Sequence, residues 1–125
     1  MPRRPHRAED QERERRITYE IVVDAYDADE QAIGWHTYVQ DTIRWPFRAR
    51  CTIERAISPL RVGEEVDVVD IAPEGDCAAE VFVLIRWAGR TLGVPLAQLE
   101  PVGADGQTVQ AVEDWHYWLD RGYGW

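Results

Sequence analysis

The sequence changes its hydrophobic period at Pro46, and this change constrains the fold more than any other feature. Residues 12–44 place apolar side chains at intervals of three and four, as amphipathic helices do. Residues 47–53 alternate apolar and polar side chains, as a half-buried strand does. Because a proline disfavours the helical conformation of the residue before it, the helical part ends by about Arg44. The chain is therefore expected to be α+β, with helices first and strands after them.

Three helices are expected. The first begins near Glu12, and the second follows Asp27, an N-cap residue with Glu30 as its capping-box partner. The third occupies residues 108–121, with Thr108 as its N-cap. This last helix is apolar on two faces, so we expect it to be buried between other elements.

The strands of residues 47–102 follow a recognisable order. A strand, a long loop, a second strand, a hairpin turning at Ala88-Gly89, a short proline-started turn and a last short strand succeed one another. This order resembles an SH3-like small β-barrel. We therefore expect such a barrel with two N-terminal helices and one C-terminal helix packed on it, preceded by a flexible basic tail over residues 1–11.

Charge is distributed unevenly along the chain. The first sixteen residues carry six arginines against four acids, whereas the rest carry 19 acids against 8 arginines, and lysine is absent. So negative a body repels phosphate backbones and attracts cations, which disfavours a nucleic-acid partner and favours a cationic ligand. Solubility alone is the other explanation of such a charge.

Other function classes find little support. No apolar run is long enough to span a membrane, and the charged N-terminus is unlike a secretory signal, so we expect a cytoplasmic protein. Ser58 is the only serine, and the histidines and the two cysteines follow no catalytic or zinc-binding spacing. We therefore do not expect an enzyme.

Carboxylates are the chemistry that the chain has in excess, and Ca²⁺ takes six to eight oxygen ligands. Three groups of acids stand out, and Asp41 lies apart from them near the end of the second helix. The groups are Asp24, Asp27, Asp29 and Glu30; Glu64, Glu65, Asp67 and Asp70; and Glu113, Asp114 and Asp120. An EF-hand loop starting at Asp27 fails, because Ala32 replaces the turn glycine and Tyr38 the bidentate glutamate. Helix capping, helix-dipole charge and solvated turns explain many of these acids equally well.

Several strings resemble a known family. They include Asp24-Ala-Tyr-Asp27, Pro46-Phe-Arg-Ala-Arg-Cys51, Ser58-Pro-Leu-Arg-Val-Gly63 and, most specifically, Asp114-Trp-His-Tyr-Trp118. Together they resemble the bacterial calcium-binding proteins of the CcbP type, from about residue 12 to the C-terminus. The resemblance implies a single calcium-binding domain over residues 12–125, which binds Ca²⁺ without an EF-hand as a cytoplasmic buffer or sequestering protein.

Candidate ligands are the acids that lie inside the matching segments. Asp41 is favoured among them, because an acid in the last turn of a helix opposes the helix dipole and a cation would compensate it, although Arg44 could do the same. Glu64 and Glu65 are its expected partners. The full set is Asp24, Asp27, Asp41, Glu64, Glu65 and Asp114.

The main alternative is an SH3-like protein-interaction module with an acidic surface that contains tryptophan. Six tryptophans could line an aromatic groove, although most of them are more simply explained as core. The two hypotheses differ in whether the tryptophans cluster on an open surface. A small hydrolase built on carboxylates is a third possibility, and it would need two acids converging in a deep cleft.

Overall fold

The computed structural model describes residues 10–122. Two helices precede five strands along the chain and a third helix follows them. The helices are α1 (Gln11–Arg16), α2 (Ala28–Thr42) and α3 (Gly106–Asp120). The strands are β1 (Phe47–Cys51), β2 (Glu65–Ile71), β3 (Phe82–Trp87), β4 (Arg90–Pro95) and β5 (Leu99–Pro101). A π-helical segment (Ile17–Ile21) continues α1, and short 3-10 helices occupy Glu74–Cys77 and Leu96–Gln98. The predicted basic tail, residues 1–11, lies almost wholly outside the described residues.

The five strands form one antiparallel sheet in the order β4-β3-β2-β1-β5. The hairpin of β3 and β4 pairs Trp87 with Arg90 around the predicted turn at Ala88-Gly89. Strand β1 lies between β2 and β5, with Ala49 opposite both Val66 and Pro101.

The α+β class is therefore confirmed, but closure into an SH3-like barrel is not. The two edge strands of the described sheet, β4 and β5, are not hydrogen-bonded to each other, so the sheet stays open. Alternating apolar residues predict that strands exist, whereas closure depends on tilt and stagger over the whole sheet, which such a pattern does not encode.

Helix boundaries follow the local signals with one exception. The side chain of Asp27 caps α2 as predicted, accepting a hydrogen bond from the Glu30 amide at 2.9 Å. The third helix begins earlier than predicted, because Asp105 and not Thr108 is its N-cap. The amide of Thr108 donates to the Asp105 carboxylate at 2.9 Å, and the hydrogen bonding between these two residues lowers the pKa of Asp105.

The tryptophans build the core where α2 meets α3. Trp35 and Trp115 are almost wholly buried and meet edge to face with ring centroids 5.1 Å apart, and Trp118 packs on Trp35 at 5.6 Å. Trp45 and Trp87 are half-buried, and Trp125 lies outside the described residues. The open tryptophan groove of the interaction-module hypothesis is therefore not formed by the three indoles that pack in this core.

No helix within residues 10–122 combines the length and the apolar character needed to cross a membrane.

Candidate metal centre

The first predicted acids lie at the junction between the π-helical segment and α2. Asp24 is exposed and adopts a left-handed backbone with φ 58°. Asp27 is exposed and serves as the α2 cap. Since Ala32 and Tyr38 lie inside α2, the twelve residues from Asp27 form helix, not an EF-hand loop. The junction therefore offers two exposed carboxylates in a non-EF-hand arrangement.

Asp41 lies exposed in the last turn of α2, where its charge opposes the helix dipole. The alternative in which Arg44 compensates it is not realised, since no ion pair joins the two side chains in the described structure. Asp27 and Asp41 occupy opposite ends of a fifteen-residue helix. At 1.5 Å of rise per residue they lie about 20 Å apart, so they cannot hold the same ion.

Glu65 begins the second strand, Glu64 directly precedes it, and both already interact with protein groups. A carboxylate oxygen of Glu64 accepts a hydrogen bond from the Arg61 amide at 2.6 Å. Glu65 pairs with Arg48 at 3.5 Å and Arg50 at 3.8 Å, and all three side chains are well exposed. Such exposed pairs contribute little free energy, so a divalent cation could replace these arginines at small cost.

Asp114 is different from the other predicted ligands, because its side chain is completely buried. Oδ1 accepts from Arg13 Nη1 at 2.7 Å and from Arg16 Nη2 at 2.8 Å. Oδ2 accepts from Arg16 Nε at 2.8 Å and from the Tyr38 hydroxyl at 2.7 Å. Both oxygens are thus fully engaged by two cations and a phenol, which leaves no lone pair directed toward a metal.

The same contacts alter the ionisation of the partners of Asp114. The hydrogen bond to the carboxylate raises the pKa of Arg16. Burial, together with the hydrogen bond to Asp114, raises the pKa of Tyr38 to about 12. The arginines therefore stay cationic and the phenol stays protonated at neutral pH, and their contacts with Asp114 join α1 to α2 and α3.

The structure does not bring the six predicted ligands together. Across residues 10–122, no three histidine, cysteine, aspartate or glutamate side chains form a group that could hold a metal ion. The central prediction is a single site made by Asp41 with Glu64 and Glu65. That site is not preassembled in the described residues. The acids instead divide among the junction, the end of α2, the start of β2 and the buried network.

Sequence reasoning missed the arginines of the buried network. Arg13 and Arg16 belong to the basic N-terminal stretch of the sequence, yet their spacing of three places them on one face of a helix. Two arginines on one face, in a chain with excess acid, indicate a carboxylate partner. Nothing in the sequence names Asp114 as that partner, since the pairs lie 98 and 101 positions apart.

The cysteines offer no alternative site for a soft metal. Cys51 and Cys77 are both free and buried. Burial raises the pKa of each thiol, so neither is poised as a thiolate ligand. The exposed acidic side chains of the described residues offer oxygen atoms as metal ligands, and oxygen ligands suit a hard cation.

Fold and surface together define an acidic α+β protein that presents exposed carboxylates without an EF-hand loop in its described part. The chain belongs to the CcbP family of calcium-binding proteins, whose family model, described as "Calcium binding", matches residues 15–119. The resemblance read from the sequence is thus confirmed, and calcium is the ion that this family binds.

Two solved structures are similar over nearly the whole chain. The crystal structure of Anabaena CcbP is 33% identical with a TM-score of 0.86, covering 97% of this chain and 99% of that one. A calcium-binding protein in the calcium-binding form is 34% identical with a TM-score of 0.80, covering 93% of this chain and 95% of that one. No curated protein sequence matches this chain.

Proposed function

We propose that this protein is a cytoplasmic calcium buffer or sequestering protein that binds Ca²⁺ through exposed carboxylates. The observation that carries the proposal is the match of a calcium-binding family model to residues 15–119. The similar structure of a protein in its calcium-binding form supports it. Two cysteines without a disulfide suit a reducing compartment such as the cytoplasm.

The proposed ligands are the members of the predicted set other than the buried Asp114; Glu64 is half-buried and the rest are exposed. Asp24 and Asp27 at the junction form one candidate site, and Asp41 lies at a second, distant position. Glu64 and Glu65 remain candidates once Ca²⁺ displaces their exposed arginine and amide partners. We leave Asp114 out, because drawing it away would leave the guanidinium groups of Arg13 and Arg16, whose side chains are only 20% and 15% exposed, without their carboxylate partner.

Affinity follows from the way these sites are built. No group of ligands is preassembled in the described residues, so Ca²⁺ must gather mobile side chains and complete its shell with water. We therefore expect dissociation constants of about 10⁻⁶–10⁻³ M, the range of sensors and extracellular modules. Magnesium should compete poorly, because it demands a tighter octahedron and loses water reluctantly.

The test is a calorimetric titration of the full chain with Ca²⁺ and then with Mg²⁺. Asp41→Asn and Asp24→Asn should each weaken one calcium-binding step by about tenfold, equal to about 1.4 kcal/mol. Asparagine suits the left-handed backbone at position 24, so that variant changes charge without straining the turn. Glu54→Gln, an exposed acid outside the predicted set, is the matched control and should bind as the parent does.

Thermal unfolding provides an independent measurement. A ligand that binds only the folded state raises its stability by about 2.7 kcal/mol at a hundred times its dissociation constant. Calcium should therefore raise the melting temperature of the parent chain and of Glu54→Gln. A titration without heat, together with an unchanged melting temperature, contradicts calcium binding altogether.

A further inference from the structure

The junction between the π-helical segment and α2 exposes large apolar side chains. Tyr26 is 86% exposed, Tyr19 70%, Val23 52% and Ile33 47%. Four such side chains within fifteen residues exceed the scattered single exposures that are normal on a protein surface. We name Tyr19, Val23, Tyr26 and Ile33 the junction patch.

The backbone contacts of Gly34 show that the two elements of the patch lie side by side. A Cβ atom at Gly34 would overlap the Ile21 carbonyl oxygen and would lie 3.7 Å from Val22 Cα. Ile33 is the neighbour of Gly34, and Val23 is the neighbour of Val22. The junction patch therefore spans two elements whose backbones touch at Gly34.

Negative charge predominates around the junction patch. The nearest arginines in the sequence, Arg15 and Arg16, precede Tyr19 by one helical turn, and Arg16 is paired with Asp114. Residues 17–43 contain no arginine or lysine, but they contain six acids. Five of these acids lie at or near the patch, and none forms an ion pair with an arginine of the described chain: Glu20, Asp24, Asp27, Asp29 and Glu30. Acids elsewhere do pair, as Glu80 does with Arg55 at 2.7 Å and Glu100 with Arg50 at 3.1 Å. The junction is therefore an apolar surface with an uncompensated negative rim.

We propose that the junction patch binds a basic amphipathic helix of a partner protein. The apolar side chains of the partner helix would cover Tyr19, Val23, Tyr26 and Ile33, and the lysines or arginines of that helix would meet the acidic rim. Nucleic acid and anionic membrane carry the same sign of charge as the rim and are repelled by it. The same surface on a second copy is equally negative, which opposes pairing of two junction patches. This proposal goes beyond calcium binding and does not depend on it.

The experiment measures binding of a fluorescent eighteen-residue peptide of leucine and lysine in helical amphipathic order to the full chain. Anisotropy is recorded with EDTA and about 0.15 M salt, so that neither calcium nor weak long-range attraction contributes. A peptide with glutamate in place of lysine controls for charge. The lysine peptide should bind, and the glutamate peptide should bind at least about tenfold more weakly.

Two pairs of matched variants locate the binding surface. Val23→Ser with Tyr26→Ser removes apolar area from the junction patch, whereas Ile57→Ser with Val62→Ser removes similar area at positions 62% and 61% exposed in the connection between β1 and β2. The first pair should weaken binding of the lysine peptide by about tenfold, and the second by less than twofold. Since all four positions are exposed, both variants should keep the parent circular dichroism spectrum.

Charge is tested separately from the proposed calcium ligands. The double variant Asp29→Asn with Glu30→Gln should weaken binding of the lysine peptide by about fivefold. The control double variant Glu54→Gln with Glu74→Gln should leave that binding unchanged. The proposal is overturned if the junction and control double variants lose peptide binding equally, in either the charge series or the apolar series. It is also overturned if the lysine peptide does not bind detectably. Sedimentation showing a dimer that the junction variants dissociate would also overturn it, because a second copy would then be the occupant.

Discussion

Arg16 donates two parallel hydrogen bonds to the Asp114 carboxylate, Nε to Oδ2 and Nη2 to Oδ1, each 2.8 Å long. The carboxylate is completely buried, and 15% of the Arg16 side chain is exposed. Arg13 and Tyr38 complete the shell of the carboxylate. The contact joins the first helix to the last one, so Asp114 anchors α1 to α3 in this structure.

Asp114→Asn should reduce the free energy of unfolding by about 3–5 kcal/mol, because it leaves two arginines facing a neutral amide in a buried site. Urea unfolding in EDTA measures the loss. Glu113→Gln is the matched control, since Glu113 also pairs with Arg13 but is 50% exposed, and it should cost less than about 1 kcal/mol. A loss for Asp114→Asn that appeared only with calcium present would contradict the anchoring role.

Gly34→Ala should destabilise the protein by about 1–3 kcal/mol, as overpacking does in cores. The added methyl group would overlap the Ile21 carbonyl oxygen, which is backbone and cannot move aside as a side chain can. Gly75→Ala is the control, because its methyl group would meet nothing within 4 Å, and it should change stability by less than about 0.5 kcal/mol. Chemical denaturation of both variants tests this, and equal effects would argue against the close approach.

The parts of the fold that the sequence predicts are those determined by neighbouring residues. Asp27 caps α2 through an amide three residues away, and Ala88-Gly89 turns a hairpin whose strands are adjacent in the chain. Thr108 misled the prediction because its hydroxyl has the chemistry of a cap, yet it accepts from the Arg44 amide at 2.9 Å. A choice between two nearby cap candidates, Asp105 and Thr108, depends on what the rest of the fold requires.

The candidate site was harder to predict than the fold. Counting acids gave a correct bias toward a cation, but it did not show which acids face arginine. Asp114 meets arginines that lie about a hundred residues earlier, and no periodicity encodes such a pair. The sequence predicts Asp27 as the N-cap of α2 and Asp41 near its end, and both predictions are correct, yet only the observed length of that helix shows how far apart they lie.

Alkaline pH should weaken the fold through Tyr38, whose pKa is raised to about 12 from 10.0. A group whose native pKa is raised contributes its full stability below the unfolded pKa and loses it as pH rises toward the native value. The free energy of unfolding should therefore fall between about pH 10 and about pH 12. Urea unfolding across that range should show a shallower fall in Tyr38→Phe. The free energy of unfolding of Tyr19→Phe, at a position 70% exposed, should fall with pH as that of the parent does. The same pH dependence in all three proteins would refute the assignment to Tyr38.

Ala88→Asn should stabilise the protein by about 1 kcal/mol, because Ala88 adopts a left-handed backbone with φ 50° in the β3–β4 turn. Asparagine followed by glycine is the preferred pair of such hairpin turns, and Gly89 already supplies the second position with φ 79°. The side chain at position 88 is exposed, so the substitution changes backbone preference without disturbing the core. Ala56→Asn, exposed in a turn without a left-handed backbone, should give no gain in thermal unfolding. An equal gain at both positions would mean that added polarity, and not relief of backbone strain, stabilises the chain.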